Sequence, residues 1–210
     1  MMMKTMKLLA LTLGLLVMGS QVLPAQDVAP AADEQVEETT PKKKKKAKKK
    51  KAKAKAGAVA KALKKVKRAS GRVNQNALVY IYLQSASWCG PCKQAMPGIV
   101  EQYKEMRKDG RVEIVLIGHD DSPEAVKAYI EGYKCKMPAV WKDAKNVKKI
   151  PGFTEANGIP DAIIVDADGK VLRQGYPTMI IPAWKELADS VEAEKAAAED
   201  AAEAAEDGEE

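Results

Sequence analysis

The sequence is poor in the residues that usually build metal sites and disulfide scaffolds. It contains three cysteines and one histidine in 210 residues. Three cysteines are too few for a disulfide-stabilised scaffold. A zinc site at the one close pair, Cys89 and Cys92, would need two further ligands, and only Cys135 and His119 remain to supply them. We therefore predict no metal site. The core must instead come from packing within a middle stretch of about 120 residues, which is long enough for one domain.

Acidic residues are absent from Lys42 to Arg68, a segment that holds 16 of the 35 lysines and arginines. The same segment has no aromatic residue to stack on bases, so no specific nucleic-acid binding is predicted. From Val191 to Glu210, nine acids meet one base. The net charge of +6 is therefore the remainder of a basic block, an acidic tail and a nearly neutral middle.

The apolar run at the start of the chain is too short to span a bilayer comfortably. Lys4 and Lys7 precede the uncharged residues 8–18, and small residues follow as far as Ala25. This order is typical of a secretory signal peptide, which we assign to residues 1–25, and an uncleaved membrane anchor is the alternative. We expect export to the periplasm or cell envelope, where cysteines meet an oxidising environment.

Two segments separate the predicted signal peptide from the core. Residues 26–56 are first acidic and then built of lysine and alanine, a composition that predicts a disordered linker. Residues 57–71 place Val59, Leu63 and Val66 at helical spacing with lysines opposite, which indicates a basic amphipathic helix. It is either a solvated linker that becomes the first helix of the domain or an attachment to an anionic surface of the envelope.

The middle of the chain alternates strand and helix signals. Residues 77–83 and 112–117 are apolar runs that predict buried strands, with a helical stretch between them. Ser122-Pro123 opens a second helix, and residues 166–169 form a turn signal between two further strands. A last helix near Pro182 leads into an acidic, Ala/Glu-rich tail at residues 191–210. This order predicts an α/β domain with a central mixed β-sheet flanked by helices.

The chemistry of the sequence is concentrated in Trp88-Cys89-Gly90-Pro91-Cys92, between a strand and a helix. A cysteine at the start of a helix meets the positive end of the helix dipole, which stabilises a thiolate. Cys89 is therefore the predicted nucleophile, and Cys92 the thiol that resolves a mixed disulfide. A structural disulfide is an alternative, although so small a loop gains little chain entropy.

Two segments resemble the thioredoxin superfamily. The run S-A-S-W-C-G-P-C-K, ending at Lys93, is similar to that of tryparedoxins, nucleoredoxins and exported TlpA-type thioredoxins. Gly158-Ile159-Pro160, followed by A-I-I-V-D-A-D-G-K-V, is similar to the segment of the family that contains a cis-proline. The resemblance implies a thioredoxin fold over residues 72–190, with a disordered basic N-terminal arm and an acidic C-terminal tail.

The resemblance also implies a function and a site. It implies an exported thiol:disulfide oxidoreductase that acts on protein thiols and disulfides in the reductive direction. The enzyme would use no cofactor other than its own redox-active disulfide, Cys89–Cys92. An envelope oxidase or isomerase is one alternative, and an anion-binding envelope protein with the domain as a scaffold is another. The residues implied for substrate binding are Trp88, Gly90, Pro91, Ile159 and Pro160.

Two positions depart from the family pattern. Leu83 stands where thioredoxins place a buried aspartate that relays protons to the second cysteine. Asp161 stands where a threonine or serine usually follows the proline, and a carboxylate close to Cys89 would raise the pKa of its thiol. Cys135 is expected to be a free, partly buried cysteine, with an intermolecular or regulatory thiol as the alternative.

Overall fold

A computed structural model of the chain describes residues 56–206, with side chains as far as residue 203. The predicted signal peptide and nearly all of the predicted linker lie outside these residues. The described chain forms one six-stranded sheet in the order β1-β4-β3-β2-β5-β6. The strands are β1 (Arg68–Ser70), β2 (Val79–Ser85), β3 (Val112–Gly118), β4 (Ala139–Trp141), β5 (Asp161–Asp166) and β6 (Val171–Gly175).

Helices flank the sheet, and the predicted mixed α/β architecture is confirmed. Strands β2, β3 and β4 run parallel to one another, whereas β5 is antiparallel to β2. The helices are α1 (Ala58–Leu63), α2 (Gly90–Asp109), α3 (Pro123–Gly132), α4 (Pro177–Ile180) and α5 (Trp184–Glu206), with 3-10 turns at Val147–Lys149 and Ile181–Ala183. Within residues 56–206, no helix is long and apolar enough to cross a membrane.

Strand β2 is buried on both faces and separates two cores. Because side chains alternate along a strand, Ile81 and Leu83 face one core while Tyr80 and Tyr82 face the other. The first core contains the apolar side of α2 and α3, and the second contains α1. The carboxyl end of β2 therefore delivers the chain to the start of α2 at a fixed place between two packed layers.

The folded unit begins earlier than residue 72, the start suggested by the sequence. Strand β1 pairs antiparallel with β4, so residues 68–70 belong to the sheet. Val59 and Leu63 are completely buried, and Val66 is 3% exposed. Residues 57–71 are thus the first helix and first strand of the domain, because their apolar side chains cover the second face of the sheet.

The acidic segment after residue 190 continues a helix of the domain. Helix α5 runs without a break from Trp184 to Glu206, although its residues from Glu192 to Glu203 are exposed. Arg111 holds the first part of this helix, since its guanidinium donates to Asp189 and to Glu192, each at 2.7 Å. The last helix predicted near Pro182 therefore continues through residue 206, into the segment assigned to the acidic tail.

A fully buried carboxylate pins the segment between β1 and β2. Glu113 accepts hydrogen bonds from the Tyr103 hydroxyl at 2.8 Å and from the Asn74 backbone N–H at 2.6 Å. The Arg107 guanidinium lies 4.0 Å away. Burial raises the pKa of Glu113, although these three partners oppose the rise.

We expect the raised pKa of Glu113 to make the protein less stable as the pH rises. The folded state holds this proton more tightly than the unfolded state, so the contribution is full below about pH 4.3 and is lost as the pH passes the folded pKa. Glu113→Gln should remove it, so the stability of the variant relative to wild type should rise between pH 4.5 and pH 8, by about 1.4 kcal/mol for each tenfold by which folding tightens proton binding at Glu113. Urea unfolding at both pH values measures this gain, with the exposed Glu105→Gln as control. Identical pH dependence of wild type and Glu113→Gln would contradict the assignment.

Candidate active site

Cys89 and Cys92 lie at the junction of β2 and α2, joined by a disulfide with a Cα–Cα distance of 5.2 Å. Cys89 has an extended backbone and caps the helix, and Pro91 occupies its first turn. The backbone N–H of Cys92 donates to Sγ of Cys89 at 3.2 Å. This donor and the helix dipole both favour a negative charge on the first sulfur, so the local geometry supports a thiolate at Cys89 once the disulfide is reduced.

The two cysteines differ in their exposure to solvent. Cys89 is 5% exposed and Cys92 is 1% exposed. Trp88, immediately before the pair, is 63% exposed, and its indole N–H donates to the carbonyl of His119 at 3.3 Å. A substrate approaching from solvent therefore meets Trp88 and the Cys89 sulfur before it can reach Cys92.

The segment containing Pro160 approaches the disulfide from β5. The Ile159–Pro160 peptide bond is cis, as the resemblance implied. The carbonyl oxygen of Ile159 lies 3.7 Å from Sγ of Cys89, and Ile159 packs against the small cluster that Ala86 forms with the two cysteines. The structure thus brings together the two segments singled out in the sequence, with a backbone edge beside the more accessible sulfur.

Asp120 holds the loop that carries the cysteines, and the sequence analysis missed this role. Its Oδ1 accepts from the backbone N–H of Ser87 at 2.9 Å and from the Ser87 hydroxyl at 2.6 Å. The residue is 2% exposed, and its backbone carbonyl accepts from the Trp141 indole at 2.8 Å. The sequence did contain a signal for this role. Asp120 lies two residues after a parallel strand, and functional sites collect at the carboxyl ends of such strands.

The two departures from the family pattern have different surroundings. The position of the family's buried aspartate is filled by Leu83, which is completely buried in the core beneath α2. Asp161 pairs in register with Gln84, and its carboxylate accepts from Gln174 at 3.2 Å. Gln84 faces the opposite side of the sheet from Leu83. The Asp161 carboxylate thus lies among the amides of Gln84 and Gln174, and burial raises its pKa, while its effect on the Cys89 thiol stays a prediction.

Cys135 and His119, the other two residues considered in the sequence, are both partly buried. Cys135 is a free and partly buried thiol, and burial raises its pKa. His119 follows β3, and its Nε2 lies 3.2 Å from Oε1 of Gln84. Burial, reinforced by the charge of Lys142, lowers the pKa of the imidazole. Among residues 56–206, no three His, Cys, Asp or Glu side chains are grouped so as to hold a metal ion.

Known proteins resemble this chain over the region of the site. A thioredoxin-like family model matches residues 76–171. The thiol-disulfide oxidoreductase ResA of Bacillus anthracis is 33% identical over 88 residues, which are 42% of this chain and 49% of that protein. Nucleoredoxin of Xenopus laevis is 34% identical over 106 residues, 48% of this chain and 24% of that protein. The chain thus spans about half the length of the first relative and less of the second.

Solved structures give a similar comparison. The crystal structure of thioredoxin from Wuchereria bancrofti is 27% identical, with a TM-score of 0.45, and the match covers 58% of this chain and 94% of that one. The matched range of the family model contains both cysteines, Asp120, Ile159 and Pro160. The similarity to the thioredoxin-like family model therefore covers both the cysteine pair and the proline segment.

Proposed function

We propose that the protein is an exported thiol:disulfide oxidoreductase that reduces disulfides of protein substrates through Cys89 and Cys92. The observation that carries this proposal is the placement of Cys89, at a helix start and 3.7 Å from the Ile159 carbonyl. An extended substrate lying along that backbone edge would present its disulfide to the Cys89 sulfur. The ResA relatives, which carry the name thiol-disulfide oxidoreductase, support the same reaction class.

The exchange proceeds in two displacements. The Cys89 thiolate attacks one sulfur of the substrate disulfide, an enzyme–substrate disulfide forms, and the other substrate sulfur leaves as a thiolate. The Cys92 thiolate then attacks Sγ of Cys89, which releases the second substrate thiol and leaves the disulfide seen in this structure. An external dithiol must supply two electrons to regenerate the reduced pair.

The surroundings of the pair divide these roles. The Cys92 N–H stabilises a thiolate at Cys89, so that cysteine is the better attacking group near neutral pH. With Leu83 beneath the helix, the proton of Cys92 passes to water or to the departing thiolate. We therefore expect resolution by Cys92 to be slower than attack by Cys89.

The direction of electron flow is set by the redox potential of the pair. The intervening Gly90-Pro91 is the dipeptide of thioredoxin, whose potential is about −270 mV. We expect equilibrium titration against glutathione to give a potential within about 30 mV of that figure. For this two-electron couple, 30 mV corresponds to about a tenfold change in the equilibrium constant. A value near about −120 mV would instead favour the alternative function, an envelope oxidase.

We further propose that the basic N-terminal region attaches the enzyme to an anionic envelope surface. Support comes from Lys61 of α1 and from Lys65, two residues after that helix, which are exposed and line a cavity of about 400 Å³ together with Lys149. In the sequence, Lys61 and Lys65 follow the basic segment from Lys42 to Lys55. The alternative is an anion-binding protein in which the domain is only a scaffold. Under that alternative, attachment persists and the cysteines have no role.

Binding of this kind should weaken steeply with salt, because surface charges are screened. We expect the protein to sediment with vesicles of phosphatidylglycerol at about 50 mM salt and to be released at about 500 mM. Replacing Lys61, Lys65 and Lys149 together by glutamine should weaken sedimentation, while replacing three exposed lysines at Lys104, Lys108 and Lys127 is the matched control. Retention that survives high salt would argue for a specific receptor instead.

A further inference from the structure

Gln84, the next-to-last residue of β2, is a fully buried amide that contacts four different groups. Its Oε1 accepts from the Ala156 N–H at 2.9 Å and lies 3.2 Å from Nε2 of His119. Its Nε2 donates to the Thr154 carbonyl at 3.0 Å and lies 3.5 Å from the Asp161 carboxylate. One buried side chain thus connects the loop after β3, the loop before Pro160 and the first residue of β5.

Only one orientation of this amide satisfies its partners. A flipped amide would set its oxygen against the Thr154 carbonyl and the Asp161 carboxylate, and its NH₂ against the Ala156 N–H. Because Oε1 is an acceptor, His119 must donate through Nε2–H, which fixes the tautomer of the neutral imidazole. The position of Gln84 is therefore defined from both sides.

The loop from Thr154 to Gly158 has few other anchors. Within the described chain, its hydrogen bonds to other segments are the two that Gln84 makes to Thr154 and Ala156. The one ion pair of the loop joins Glu155 to Lys148 at 3.0 Å on the surface. This loop leads directly into Ile159, whose carbonyl lies beside Sγ of Cys89.

We propose that Gln84 is a positioning residue for substrate binding, which holds the loop at residues 154–158 so that the Ile159 edge is set against Cys89. A buried amide that satisfies two backbone groups fixes a loop more firmly than surface contacts do, because leaving those groups unpaired in the interior is costly. Gln84 touches neither cysteine, so its effect reaches the reaction through the loop alone. This inference rests on the proposed exchange reaction and adds the residue that shapes its substrate edge.

The role predicts a difference between substrates. A protein disulfide that lies along the Ile159 edge depends on the position of the loop, whereas bis(2-hydroxyethyl) disulfide has no peptide backbone to place there. Gln84→Met has a similar volume and removes every hydrogen bond of the amide. We expect it to lower kcat/KM for insulin about tenfold, mainly through KM, and to change the rate with bis(2-hydroxyethyl) disulfide by less than about twofold.

The control is Gln174→Met on β6, two strands away from Gln84. Gln174 is exposed and donates to the same Asp161 carboxylate, but it makes no contact with the loop. We expect this variant to keep both rates. Hydrogen exchange supplies a second readout, because the Ala156 amide should lose protection in Gln84→Met while amides of β3 keep theirs.

Gln84→Glu provides a second variant if Gln84→Met does not fold. Its carboxylate can accept from Ala156 and His119 but cannot donate to Thr154. We therefore expect a smaller loss of kcat/KM for insulin than in Gln84→Met, again with little change for bis(2-hydroxyethyl) disulfide. Equal losses on both substrates, or unchanged insulin kinetics in a folded variant, would overturn the positioning role. If the wild-type protein reduces neither substrate, the proposed function itself fails, and that result is distinct from either outcome.

Discussion

Replacing Cys89 by serine is expected to abolish disulfide reduction, whereas replacing Cys92 by serine should trap substrates on the enzyme. Cys89 is the more exposed residue of the two, and its sulfur accepts from the Cys92 N–H, so it makes the first attack. Without Cys92 no internal thiol can displace the substrate from Cys89, and the mixed disulfide persists. Turnover with insulin should fall to the uncatalysed rate in both variants.

Mass spectrometry of the products separates the two variants. Covalent adducts should accumulate with Cys92→Ser and be absent with Cys89→Ser. Cys135→Ser is the matched control, because this thiol lies outside the disulfide and is partly buried, and its replacement should leave turnover unchanged. Equal trapping by the Cys89 and Cys92 variants, or trapping through Cys135, would contradict the division of roles.

Truncation is expected to separate the arm from the fold between residues 55 and 68. A chain starting at residue 56 keeps α1 and β1, so its thermal unfolding should match that of a chain starting at residue 26. A chain starting at residue 69 lacks Val59, Leu63 and Val66, all of them buried. Each such side chain contributes about 1.5–3 kcal/mol, and the sum approaches the whole stability of a typical domain.

A point variant tests the same boundary without truncation. Leu63→Ala should cost about 2–5 kcal/mol in the free energy of unfolding, as expected for a completely buried leucine. Lys64→Ala changes the exposed neighbour and should change stability by less than about 0.5 kcal/mol. Cooperative unfolding of the chain starting at residue 69, at an unchanged temperature, would show that α1 is dispensable.

The elements with strong local signals were predictable from the sequence. Strands β2 and β3 are long apolar runs, Ser122 caps α3 by accepting from the Ala125 N–H, and the turn at residues 166–169 separates two strands that pair antiparallel. The cysteine pair and the proline segment were also found, since each is a motif within a few residues. These signals are local, and local patterns survive without knowledge of the fold.

The two shortest strands were not predictable. Strand β1 has three residues inside a basic segment, and β4 has three residues after Pro138. Neither is long enough to show an alternating pattern. Strand β1 is a strand because it pairs with β4, and β4 lies between β1 and β3 and pairs with both. Tertiary pairing, rather than propensity, decides such segments.

The polar residues that support the site were also missed. Gln84 bonds to Ala156 and Thr154, which are 72 and 70 residues away in the sequence. Asp120 bonds to Ser87 across 33 residues. A buried amide within an apolar run was visible in the sequence, but its partners become neighbours only when β2, β3 and β5 lie side by side. Their roles depend on topology.

The most direct test of the central claim is the rate of insulin reduction by dithiothreitol with and without the full-length protein. The account predicts that the protein accelerates reduction, and that a variant with both Cys89 and Cys92 replaced by serine gives only the rate of dithiothreitol alone. The same rate for the wild-type protein and the double variant would contradict the claim that this cysteine pair exchanges disulfides with protein substrates.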